Sequence, residues 1–170
     1  EAIVNYTNAL DIYESMGDVR STAVIQNNLG IYFHELEFVE EAQQFFELAL
    51  EKFESLEDKN GQADVFLNMG SVMEDQGAFD DAINYYTNAY QLYMELNSFE
   101  GQIVVLNNIG TTKHNMELFD EAIVLHTNAL ELAGAYEDYD GMIDFGSCLF
   151  FVLPFVRSEK RTKNSTWSQK

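Results

Sequence analysis

Asn107-Asn108-Ile109-Gly110, then Phe119-Asp120-Glu121-Ala122-Ile123, then Asn128-Ala129-Leu130 is the stretch whose reading decides the fold. Forty residues earlier it recurs as Leu67-Asn68-Met69-Gly70, Phe79-Asp80-Asp81-Ala82-Ile83 and Asn88-Ala89-Tyr90. A further step of forty meets Asn27-Asn28-Leu29-Gly30, Val39-Glu40-Glu41-Ala42 and Leu48-Ala49-Leu50. A last step lands on Ala2-Ile3 and Asn8-Ala9-Leu10, so Glu1 already stands inside a repeat. Self-similarity at a fixed period predicts units that cannot bury an apolar face alone and therefore stack on one another.

Composition narrows the class. Of the 170 residues 46% are hydrophobic and only one is proline, which favours helix. Cys148 is the sole cysteine, so no intrachain disulfide forms and a reducing, cytoplasmic setting is expected. The longest apolar run, Cys148 to Val156 around Pro154, is too short to cross a bilayer, and no membrane association is expected. Charge is uneven: residues 1–156 hold 28 acids against Arg20, Lys52, Lys59 and Lys113, within a formal net charge of −20. Such a body repels phosphate backbones, so nucleic-acid binding is not expected.

Apolar Ile3, Tyr6, Leu10 and Tyr13 recur at helical spacing, and residues 1–17 read as the second helix of a repeat begun earlier. Gly17 suits a left-handed C-cap and Asp18 the next N-cap. Helices follow over about 20–36 and 39–56, giving repeats at 18–57, 58–97 and 98–137. Glu137-Asp138-Tyr139-Asp140-Gly141 predicts one more corner, then an unpaired helix over 138–156 and a basic, disordered tail over 157–170. Gly30, Gly70 and Gly110 are placed where paired helices approach, with Ala42, Ala82 and Ala122 on the facing helix. Phe45, Phe46, Tyr85, Tyr86, Leu29, Met69 and Ile109 fill the space between.

These positions resemble the tetratricopeptide repeat: Gln26, Leu29-Gly30, Phe33, Ala42, Phe46, Ala49 in one copy. The next reads Phe66, Met69-Gly70, Met73, Ala82, Tyr86, Ala89, and the third Leu106, Ile109-Gly110, Lys113, Ala122, His126, Ala129. Lys113 and His126 depart from the pattern, both as side chains able to lie along a helix surface. The longer period is similar to the repeats of Pins-type G-protein signalling modulators, kinesin light chains and bacterial Rap-type regulators. The resemblance implies an all-α, right-handed superhelical solenoid of helix-turn-helix repeats whose first helices line a concave groove. On this chain the peptide-binding residues would be Asn27, Asn28, Ile31 and His34; Asp64, Leu67, Asn68, Ser71, Glu74 and Asp75; and Asn107, Asn108, Thr111, His114 and Asn115, flanked by Val24, Glu35 and Val104. Asn28, Asn68 and Asn108 recur in every copy and are expected to stack as a ladder. An amide both donates and accepts, so such a ladder fits the N–H and C=O of an extended peptide. The family's carboxylate clamp for acidic C-terminal peptides is built from lysines and arginines on these helices, where besides Arg20 the groove offers only Lys113, so such a peptide is a poor ligand candidate.

No catalytic constellation is legible. His34, His114 and His126 are never paired at ligand spacing on one helix, no phosphate-binding glycine loop occurs, and no metal or cofactor is expected. Calcium-loop spacing fails too, with Tyr136 and Leu56 where acids would precede Gly141 and Gly61. The expected function is non-catalytic recognition of a protein or peptide, basic by charge complementarity. The alternative is a self-assembling structural or regulatory segment that associates through its open array ends.

Overall fold

The computed structural model describes residues 2–140. The helix expected over 138–156 and the tail over 157–170, with Cys148, Phe150 and Trp167, fall beyond residue 140 apart from their first residues and so outside the described residues. Within the description are seven α-helices: α1 (Ala2–Met16), α2 (Val19–Glu35), α3 (Val39–Ser55), α4 (Lys59–Asp75), α5 (Phe79–Glu95), α6 (Phe99–Asn115) and α7 (Phe119–Asp140). The fold is an all-α helical repeat in which α2 pairs with α3, α4 with α5 and α6 with α7. The described residues fall into two compact units, 2–98 with five helices and 99–140 with two.

Local chemistry sets the boundaries. Asp18 caps α2 by accepting from the Ser21 N–H at 3.0 Å, and Asp58 caps α4 by accepting from the Gly61 N–H at 3.2 Å. Helices α3 and α5 have no side-chain cap. They carry Glu40 and Glu41, or Asp80 and Asp81, in the first turn, where negative charge suits the helix dipole. Each corner closes with the same pair of backbone bonds, seen at Glu37 N–H to His34 C=O and Phe38 N–H to Phe33 C=O, both 2.9 Å. That closure puts one residue in the left-handed region. Gly17 and Gly77 take it freely, whereas Glu37, Glu57, Asn97 and Glu117 take it at φ of 52° to 63°. The corner at Glu37 thus matches that at Gly77 although its sequence looks poorer in turn residues.

The corner expected at Glu137 is different. Helix α3 ends at Ser55 and α5 at Glu95, but α7 continues past the equivalent Ala135 to Asp140. A glutamate at the corner does not account for this, since Glu37, Glu57 and Glu117 all take the left-handed conformation.

Burial follows the helical period. Ala42, Phe46, Ala49 and Phe53 on α3 are buried, as are Ala82, Tyr86, Ala89 and Tyr93 on α5. What meets each glycine is a ring rather than the facing alanine. A Cβ added at Gly30 would lie 2.6 Å from Phe46 Cε1, and one at Gly70 would lie 2.5 Å from Tyr86 Cδ1. Beside these contacts Phe33 stacks on Phe45 with centroids 5.3 Å apart, and Phe66 on Tyr85 at 6.3 Å. Replacing Gly70 by leucine forces α4 from α5, an overpacking cost of about 1–3 kcal/mol or more. Urea unfolding of Gly70→Leu against the parent measures it; equal stability would contradict the pairing.

Candidate functional site

In the first unit, α2 and α4 lie side by side and are joined by three polar contacts. Arg20 Nη2 meets Asp58 Oδ2 at 3.0 Å, Asn68 Nδ2 donates to Asn27 Oδ1 at 3.0 Å, and His34 Nε2 meets Asp75 Oδ2 at 3.0 Å. Arg20, Asn27 and His34 stand two helical turns apart, so one stripe of α2 faces one stripe of α4. Of the recurring asparagines, Asn68 donates to Asn27, the neighbour of Asn28. Asn27–Asn68 and His34–Asp75 each join residues 41 apart and Arg20–Asp58 residues 38 apart, whereas the sequence period is forty. At Asn27 and His34 the partner on α4 is thus one residue beyond the equivalent position.

The acids of α4 are held from behind by α5. Asp64 Oδ1 accepts from the Tyr93 hydroxyl at 2.5 Å, and Asp64 Oδ2 from Asn60 Nδ2 at 3.3 Å. Burial raises the Asp64 carboxyl above the usual range, and the bond from Tyr93 opposes that rise only in part. Glu74 Oε2 accepts from the Tyr86 hydroxyl at 2.9 Å. Burial, reinforced by the Glu74 charge, pushes the Tyr86 phenol far above its ordinary value, so it stays a donor. Between these fixed groups lie half-buried Asn28, Ile31, Leu67 and Ser71, with Val24 and Glu35 exposed. Ile31 also packs against the core of the unit.

In the second unit the predicted residues lie along α6. Asn107 Oδ1 accepts from His126 Nδ1 at 3.0 Å. The Thr111 hydroxyl donates to the Asn107 carbonyl at 3.0 Å, and His114 meets Phe119 edge-on with centroids 5.3 Å apart. Asn108 is half-buried; Val104 and Asn115 are exposed. Lys113, the first departure from the motif, lies along α6 and reaches Glu121 Oε2 at 3.0 Å. The second does not lie on a surface. His126 is 5% exposed and enclosed against α6, and burial, ahead of repulsion from His114, holds its imidazole below the ordinary value.

Sequence reasoning missed the tyrosine–carboxylate bonds. Their signal was present: Tyr86 and Tyr93 replace Phe46 and Phe53, and each added hydroxyl finds an acid on α4. It also missed Gln26, which is buried with its Oε1 unbonded. Among the described residues no three histidine, cysteine, aspartate or glutamate side chains cluster to hold a metal, and no helix is long and apolar enough to cross a membrane.

Residues 21–95 match the tetratricopeptide repeat family. Among solved structures the chain is similar to BtubC (BKLC) from P. vanneervenii, with a TM-score of 0.70 and 23% identity. That match covers 82% of this chain and 58% of BtubC, so the chain spans well under two thirds of that protein's length. It is also similar to the N-terminal domain of stress-induced protein-1 (STI-1) from C. elegans. There the TM-score is 0.57 and the identity 14%, covering 72% of this chain and 98% of that domain. No curated protein matches the chain in sequence.

The Asn27–Asn68 bond is open to direct measurement. A double-mutant cycle with Asn27→Ala and Asn68→Ala should return a coupling of about 0.5–1.5 kcal/mol in urea unfolding. Additive single effects would mean the two amides do not hold α2 to α4.

Proposed function

We propose, from the match of residues 21–95 to the tetratricopeptide repeat family, that the chain is a non-catalytic scaffold whose first helices hold a segment of a partner protein. Repeats of this family mediate protein–protein interaction. The observation that carries the finer reading is the α2–α4 face. There, half-buried amides and the apolar Val24 and Ile31 alternate with acids already fixed by bonds from Tyr86, Tyr93 and His34. Side chains ordered before a ligand arrives lose little further freedom on binding, so their contacts count more fully toward affinity.

Charge sets the class of partner. The cations on the first helices are already engaged, Arg20 by Asp58, Lys59 by Glu95 and Lys113 by Glu121. An acidic peptide would have to displace those bonds. A basic or neutral extended segment meets carboxylates and amides without doing so. Binding of labelled lysine-rich, neutral and acidic peptides to the intact chain tests this, with the acidic set expected to bind weakest. Replacing Asn28, Asn68 and Asn108 together with alanine should lower peptide affinity by roughly 2- to 12-fold per lost bond. Unchanged affinity in a folded triple variant would remove the amides from the site.

Self-assembly, the second reading, is favoured by α1. Its Tyr6, Ala9 and Tyr13 are half-buried, whereas the equivalent Phe46, Ala49 and Phe53 are buried under α2 and α4. A second copy laid on that face would cover them. Sedimentation equilibrium decides the point: association that rises with concentration and is lost in Tyr13→Glu supports assembly, and a monomer throughout ends it.

A further inference from the structure

Ser21 stands forty residues before Gly61, and that one difference shapes the joint of α1 with α2. In the second repeat a Cβ added at Gly61 would run into the ring of Phe53, and Phe53, Gly61 and Val65 are all buried. Ser21 carries that Cβ, so Tyr13 of α1 cannot take on α2 the seat that Phe53 takes on α4. The equivalent Tyr13, Ser21 and Ile25 are only half-buried. Between α1 and α2 lies a hollow of about 290 Å³ lined by Tyr13, Arg20, Ser21, Val24 and Ile25. Its walls are mostly apolar: a phenol ring, a valine and an isoleucine. Its polar groups are already engaged. The Ser21 hydroxyl donates to Asp18 Oδ2 at 2.7 Å, and Arg20 Nη2 donates to Asp58 Oδ2 at 3.0 Å.

We propose that this hollow holds the aromatic side chain of a basic partner segment. Its size suits a single ring, since a cavity of about 150 Å³ already takes benzene. Arg20 favours an aromatic occupant over an aliphatic one. It is gripped by Asp58, yet its side chain is 71% exposed, so the guanidinium still presents a flat cationic face on which a ring stacks. An anionic occupant is opposed, because Asp18 and Asp58 hold both donors and repel a further negative charge. Lysines or arginines flanking the ring would meet those same two carboxylates. The inference rests on the proposed recognition face, with which the hollow shares Val24, and it fixes the point on that face where one side chain of the segment is anchored.

Two kinds of probe test it on the intact chain. In NMR spectra, N-acetyl-phenylalaninamide should shift the amide signals of Tyr13 and of residues 20–25, and N-acetyl-alaninamide should not. Of two capped peptides, KKFKK should bind about 10-fold tighter than KKAKK. That ratio should fall toward one in Ser21→Gly, which lets Tyr13 close onto α2 as Phe53 closes onto α4. Arg20→Gln keeps the hollow and should lower the ratio about 2- to 5-fold. General charge effects act on both peptides and cancel in the ratio. Equal binding of the two peptides, a ratio untouched by Ser21→Gly, or no shift at these residues would overturn the ring site and leave the recognition face standing. Shifts at the hollow with neither peptide bound would do the reverse, keeping the ring site and removing the recognition face.

Discussion

A ring laid on a glycine is the contact on which each repeat depends. Gly30 under Phe46, Gly70 under Tyr86 and Gly110 under His126 fix how near two helices come. That distance decides whether the alanines on either side are buried. Ala42, Ala49, Ala82 and Ala89 are fully enclosed, and an alanine gains packing only when its neighbour's backbone is close. Enlarging the glycine or shrinking the ring disturbs the whole line of small residues. This is why variation at the ring position is confined to flat side chains, phenylalanine, tyrosine and histidine.

Within that limit the three rings differ in what they attach to. Phe46 is apolar throughout. Tyr86 keeps the fit and adds a hydroxyl that reaches Glu74, while His126 keeps it and adds a nitrogen that reaches Asn107. In both cases the interior of a helix pair orients a polar group on a first helix, so the packing core and the proposed recognition face are not independent. Tyr93 extends the same arrangement to Asp64.

Fold and helix limits were legible because they rest on local chemistry and on repetition. Asp18 and Gly17 announced a cap and a left-handed turn from residue type alone. Glu37 and Glu57 announced nothing by type, and only the period placed the corners there. The same inference failed at Glu137, where the residues resemble earlier corners but the helix runs on to Asp140. Pairings across helices were not legible. A forty-residue period sets Asn28 opposite Asn68, and only the three-dimensional offset shows that Asn27 is the partner. Burial of His126 was hidden for a related reason: the letter fits an exposed helix face equally well, and only the enclosure against Gly110 decides between them.

The three contacts that tie α2 to α4 differ in how they meet ionic strength. Arg20, with its side chain 71% exposed, holds Asp58 through a charge that dissolved ions attenuate, and such exposed pairs contribute little at best. The amide bond between Asn27 and Asn68 carries no net charge and is indifferent to counter-ions. Meanwhile the chain's formal charge of −20 sets acid against acid over much of the molecule, a repulsion that the same ions relax. Added salt therefore weakens the outermost tie of this joint, leaves the amide tie untouched and eases the strain of like charges around both.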